Sequence, residues 1–144
     1  MNKVLLSSKK MDWGTPQDFF FKCDEEFNFT IDAAASRENA KCDKYFSEEN
    51  CGLSADWSGE RVWCNPPYGR ALKKWVEKAA RREADLSVLL IPSRTDTSYF
   101  HDFIYGKAEV RFLRGRLRFH GAYHSAPFPS RLVIFKKTDQ ERNS

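Results

Sequence analysis

Val62-Trp63-Cys64-Asn65-Pro66-Pro67-Tyr68 is a short apolar run that meets two prolines in series. Neither proline has an N–H to donate, so a sheet ladder cannot continue through them. The strand is expected to stop at Cys64 and to hold Asn65 and Tyr68 at its carboxyl end. In open α/β sheets that end is where ligands bind. The bland alternative is a strand-ending turn, since Asn-Pro and Pro-Pro are turn dipeptides.

Downstream, Gly69-Arg70 opens a helix. Leu72, Trp75, Val76, Ala79 and Ala80 repeat at i, i+3, i+4, i+7 and i+8, with Lys73, Lys74, Glu77, Lys78 and Arg81 opposite. The nearly unbroken apolar run Leu86–Ile91 is expected to be a central parallel strand ended by Pro92. Ser93-Arg94-Thr95-Asp96-Thr97 is then a polar loop at its carboxyl end, followed by about two helical turns through Phe100 and Phe103 to Gly106. The period next changes to two. Val110 and Phe112 alternate with Arg111, and after a turn at Arg114-Gly115, Leu117 and Phe119 alternate with Arg116, Arg118 and His120. This predicts a hairpin with one apolar and one basic face. Residues 121–130 read as a loop, and Leu132-Val133-Ile134-Phe135 as a last buried strand.

Upstream, Thr15 is expected to cap a helix with Pro16 at its first position and Asp18 reaching back. Phe19, Cys23 and Phe27 give it an apolar face with Phe20 beside it. Thr15 and the free N–H groups there can serve only as a cap, or can also hold a carboxylate. Phe29-Thr30-Ile31 reads as a short strand ending at Asp32, before the small residues Ala33-Ala34-Ala35-Ser36 that would let a ligand approach closely. Asp32 can cap the next turn or take an ammonium group. Residues 37–60 are polar. Tyr45-Phe46 is a candidate short strand, and either Glu48-Glu49-Asn50 or Asp56-Trp57 can reach a ligand or lie on the surface.

At 144 residues the chain is expected to be one domain, residues 13–137, between a flexible arm (1–12) and a polar tail (138–144). Its 41% hydrophobic and 31% charged content is ordinary for a globular protein. The start offers only Val4-Leu5-Leu6 as an apolar run, so neither a signal peptide nor a membrane span is expected, and cytoplasmic residence is. Cys23, Cys42, Cys51 and Cys64 form no Cys-x-x-Cys pair and read as reduced thiols, the alternative being a zinc site with His120 and His124. Charge is uneven. Residues 1–60 carry 7 basic and 12 acidic side chains, whereas residues 107–137 carry 8 basic and 1 acidic. That asymmetry points to an anionic partner on the C-terminal third, or to a solvated basic face.

The chemistry of the tetrapeptide is specific. An exocyclic amine on a purine is a poor nucleophile because its lone pair is delocalised into the ring. The Asn65 side-chain oxygen and the Pro66 carbonyl can each accept one amine hydrogen. Two acceptors would localise the lone pair and stabilise the positive charge that develops on the nitrogen. Tyr68 offers a flat face to the base, and such stacking is worth roughly 1–3 kcal/mol. The tetrapeptide resembles the motif of amino-methyltransferases that use S-adenosylmethionine.

The resemblance sharpens along the chain. Trp13-Gly14-Thr15-Pro16, Asp32 to Ser36, Trp63 to Gly69, Pro92 to Thr97, Gly115 to Phe119 and Ala126 to Ser130 occur in the order seen in phage-type DNA N-6-adenine methyltransferases, the phage Dam family. The match spans roughly residues 11–137. It implies a Rossmann-like α/β fold, with a mostly parallel sheet, a late antiparallel hairpin and helices on both faces. It also implies methyl transfer from S-adenosylmethionine to the N6 amine of adenine in double-stranded DNA, in a host-cell cytoplasm. Asn65, Pro66, Pro67 and Tyr68 would be catalytic. Thr15, Pro16, Asp32, Ala33 and Glu49 or a neighbour of it would hold the cofactor. The glycine-rich turn usual after the first strand is absent, and no insert is large enough for a separate target-recognition domain. Arg94, Arg114, Arg116 and Arg118 are therefore the expected DNA contacts. The alternatives are the same chemistry on RNA or a protein glutamine amide, or a non-catalytic DNA-binding remnant of the fold.

Overall fold

The computed structural model of the chain describes residues 14–119 and 128–137. The expected arm, tail and most of the 121–130 loop lie outside them. Five strands form one sheet in the order β1-β2-β3-β5-β4. β1 (Ile31–Asp32), β2 (Arg61–Cys64) and β3 (Leu86–Pro92) are parallel. β5 (Ser130–Lys136) runs antiparallel between β3 and β4 (Glu109–Phe112).

Alternation along the central strands makes two cores. Trp63, Leu86, Val88, Leu90, Leu132 and Ile134 face α1 (Gln17–Phe27), which buries Phe20, Cys23 and Phe27 against them. Phe20 and Phe29 each meet the Trp63 ring edge-on, with centroids 5.4 Å apart. Such aromatic pairs add about 0.5–1.5 kcal/mol beyond their burial. On the opposite face Val62, Cys64, Leu89, Ile91, Val133 and Phe135 meet α2 (Leu72–Ala80) through Leu72, Trp75, Val76 and Ala79. Helices thus cover both faces of a mixed sheet that is parallel in its first three strands.

Several expectations need correction. Pro16, not Thr15, occupies the cap position of α1, and no side chain caps it. Asp18 accepts from the next residue, Phe19, rather than reaching back. Lys78 is buried on α2, because its ammonium reaches the Ala55 carbonyl, pairs with Glu83 and stands over the Trp57 ring. Tyr45 makes only a single parallel bridge, to Asp32. The segment after the 93–97 loop is helical over residues 98–104, about the length expected, but Phe100–Ile104 is π-helical rather than α-helical.

The largest correction concerns the hairpin. β4 pairs with β5, and residues 113–119 form no strand. Leu117 and Phe119 still turn inward while Arg116 and Arg118 are exposed, so the two faces are as expected but the partner is not. Phe112 is 68% exposed rather than covered, since β4 is an edge strand and only Val110 packs on the core. Arg111 is not on a free basic face. It makes a bidentate pair with Glu26 of α1, contacts Glu109, and lies over Phe27. No helix of the described residues is long and apolar enough to cross a membrane.

Candidate active site

β2 ends at Cys64, and Asn65 and Pro66 follow it into a buried position at the carboxyl edge of the parallel strands. Asn65 Nδ2 donates to Thr15 Oγ1 at 3.0 Å, and both residues are buried. In this arrangement the amide nitrogen faces Thr15. Thr15 is therefore spent on Asn65 and not on capping α1. Pro16 instead offers its carbonyl to Phe20 N at 3.0 Å. Gly69 sits at φ 109, a conformation that favours glycine, and there the chain leaves Tyr68 for α2.

Tyr68 is enclosed. Its hydroxyl donates to the Leu90 carbonyl at 3.3 Å, and its ring meets Phe128 and Phe119 edge-on at 5.6 and 6.4 Å. Burial pushes the phenol well above its ordinary pKa, so it stays a neutral donor. Asp32, at the end of β1, is buried. Its carboxylate accepts from Ala34 N at 3.3 Å and from Lys41 N at 2.9 Å, so it closes the loop that follows the strand. The same carboxylate lines a narrow recess with Gly14, Thr15, Ala34, Asn39, Lys41, Trp63 and Asn65. The structure thus brings Thr15, Asp32 and Asn65 together from three separate segments.

Ala34 connects this recess to a cleft of about 230 Å³, whose walls include Ala33, Phe46, Leu53, Pro67 and Trp75. Ala35, Ser47 and Glu48 connect that cleft in turn to a polar one of about 550 Å³ that includes Arg37, Glu38 and Glu49. Glu49 borders only the outer cleft, whereas Glu48 borders both. Asp56 does not reach the site; it is exposed and accepts from Ser58, while Trp57 is core.

The cleft wall at Cys51–Leu53 was not foreseen. A Cβ on Gly52 would stand 2.2 Å from the Ala33 carbonyl oxygen, so only glycine lets this segment close against the end of β1. Trp57 Nε1 donates to the Gly52 carbonyl at 2.9 Å and holds it there. A lone glycine, between Cys51 and Leu53, was the available signal. Arg94 lies on the loop after β3, at the same sheet edge as Asn65, and its side chain is 61% exposed. Arg114, Arg116 and Arg118 are exposed on the 113–119 segment. Among the described residues no group of three His, Cys, Asp or Glu side chains could hold a metal.

The sequence as a whole is similar to known proteins. The family model described as DNA N-6-adenine-methyltransferase (Dam) matches residues 3–144. A DNA N-6-adenine-methyltransferase of Escherichia phage T1 is 31% identical over 111 residues, 73% of this chain and 45% of the relative. Another, of Haemophilus phage HP1 (strain HP1c1), is 37% identical over 71 residues, 46% of this chain and 41% of the relative. The matched region spans less than half the length of either relative. With a family match over nearly its whole length, the chain belongs to the DNA N-6-adenine-methyltransferase (Dam) family.

Proposed function

We propose that this chain transfers a methyl group from S-adenosylmethionine to the exocyclic N6 amine of adenine in double-stranded DNA, on a Rossmann-like methyltransferase sheet. The observation that carries the reading is the Asn65 amide, bonded to Thr15 at the carboxyl end of β2, beside a groove made of a recess and clefts that share walls.

The groove suits the cofactor's shape and chemistry. Its apolar part, between Phe46, Leu53, Pro67 and Trp75, fits a flat purine. Glu48 and Glu49, on its polar part, are acceptors for ribose hydroxyls. The recess at Asp32 and Thr15 offers a carboxylate for an ammonium and a hydroxyl for a carboxylate. Ala33 to Ala35 have side chains short enough for close approach where a glycine-rich turn would otherwise stand. When bound, the cofactor supplies an electrophilic methyl on a sulfonium.

The chain's own residues do the rest. Asn65 Oδ1 accepts one amine hydrogen and the Pro66 carbonyl accepts the other, which localises the nitrogen lone pair. Both acceptors stabilise the positive charge that the nitrogen gains as it is methylated. The proton then leaves to solvent, so no strong base is required beforehand. A duplex hides the amine inside a base pair, so the adenine must leave the stack. Tyr68, held by its bond to Leu90 and by Phe119 and Phe128, adjoins Pro67 of the cleft wall and is the aromatic ring of the tetrapeptide nearest the base.

Digesting treated duplex DNA to nucleosides and identifying the methylated base tests the reading. N6-methyladenine is expected, with none formed on RNA or protein. Asn65→Ala should lower the transfer rate roughly 10²–10³-fold and leave cofactor affinity unchanged. An Asn65→Ala protein that turns over like the parent would remove Asn65 from the chemistry.

A further inference from the structure

Arg131 lies in β5, opposite Ile91 of β3 on one side and Phe112 of β4 on the other. It is 0% exposed. Nη2 donates to the Arg94 carbonyl at 2.8 Å, and the guanidinium stands 4.5 Å from the Phe100 ring centre. Nε and Nη1 have no acceptor among the described residues. Burial lowers its basicity, yet a guanidinium does not give up its proton in a protein, so the charge remains. A cation this deep, with two of its donor atoms unpaired among the described residues, adds little net stability, and an apolar side chain of similar volume would pack as well. Stability is therefore not what Arg131 contributes.

Its one carbonyl partner points to what it does. Arg94 O belongs to the 93–97 loop, which leaves β3 at the same edge as Asn65. Cys64 pairs with Leu89, and Arg131 with Ile91. Asn65 and Arg131 therefore stand two strands apart, on the order of 10 Å across the sheet. The loop is also tied by Ser93 N to the Pro129 carbonyl at 2.8 Å, just before β5. Above this anchored backbone the Arg94 side chain is mostly exposed and pairs with Asp96, at 3.5 Å. A pair that open is worth little and yields readily to a better anion.

We propose that Arg131 is a positioning residue that holds the 93–97 loop through the Arg94 carbonyl, so that the Arg94 guanidinium meets a DNA backbone phosphate beside the extruded adenine. The proposal rests on the reading of the chain as a DNA methyltransferase. The phosphate displaces Asp96 from Arg94.

The test measures duplex binding by fluorescence anisotropy across a salt series, together with thermal unfolding and steady-state kinetics, for Arg131→Met, Arg94→Ala and the double variant. Arg131→Met should unfold at the parent temperature or above it. It should bind DNA roughly tenfold more weakly at low salt, about the worth of one charged hydrogen bond. The logarithmic salt slope should fall by about one, with KM for DNA raised and kcat kept. Arg94→Ala should show the same DNA loss, and the double variant should be no worse than either single one, because the two act as a unit. Additive losses, unchanged DNA affinity in either single variant, or an Arg131→Met protein that fails to fold would each overturn the proposal. The methylated-base assay reports separately on the activity, so a wrong role for Arg131 leaves that result standing.

Discussion

Thr15 and Asn65 are 50 positions apart in the chain and joined by one buried hydrogen bond. Neither end of that bond was visible in the sequence, where Thr15-Pro16 satisfies every local rule for a helix cap. Local rules see only the next few residues, and the partner that won lies on another strand. Asp32 shows the reverse. The cap role read from its neighbours is present, in its bonds to Ala34 and Lys41, and the same carboxylate also borders the recess. The tetrapeptide was legible because two prolines force a strand to end whatever surrounds it. Thr15→Val keeps the side-chain shape but strands the Asn65 amide donor, at a cost of about 1–3 kcal/mol in stability. It should also lower kcat, since the amide can then rotate away from the amine, while Thr15→Ser should restore both. Equal kcat in the valine and serine variants would make the contact structural only.

At the level of elements, the helix α2 and the strands β2 and β3 were readable because their apolar periods are long or abruptly ended. The hairpin failed for a physical reason. Period-two alternation says which side of a sheet a residue faces, but not which strand lies beside it. β5 is buried from Ser130 to Phe135 and takes both neighbouring places, one beside β3 and one beside β4, so residues 116–119 keep their inward and outward faces without a ladder. The Cys51–Leu53 wall escaped for a related reason, since its packing depends on the Ala33 carbonyl and Trp57, both distant in sequence. Cys51 is exposed at the cleft, whereas burial raises the Cys23 thiol to about 11 and the Cys42 thiol to about 12, and Cys64 is wholly enclosed. A thiol whose pKa is raised stays protonated below it and reacts slowly. Alkylation at pH 8, followed by mass spectrometry, should therefore mark Cys51 first. With S-adenosylmethionine at about ten times its dissociation constant, that rate should fall about tenfold. Bound cofactor that leaves Cys51 as reactive as before would lie elsewhere than in this cleft.

Across the whole molecule, charge and topology converge on one edge. The acidic first 60 residues supply the polar cleft and most of the apolar one, and the basic C-terminal third supplies β4, β5 and the segment between them. Not every basic residue in that third is available to a partner. Arg111 is committed to Glu26 and Glu109, and its shared bonds hold α1 to the edge strand. Arg131 is inside. Arg114, Arg116 and Arg118 are the exposed arginines of the 113–119 segment, and Phe119, which ends that segment, packs edge-on against Tyr68. A duplex gripped by these arginines would therefore be held next to Tyr68, the aromatic residue of the tetrapeptide. Each arginine that neutralises a phosphate releases counterions, which contributes close to one unit to the logarithmic salt slope of binding. Replacing Arg114, Arg116 and Arg118 together by Gln should flatten that slope by about two to three units and weaken binding to all sequences alike. A single variant that instead relaxes the preference at one base pair would identify its arginine as reading a guanine edge. Binding to duplexes of scrambled sequence over a salt series separates these cases, and a triple variant with the parent's slope would place the duplex on another surface.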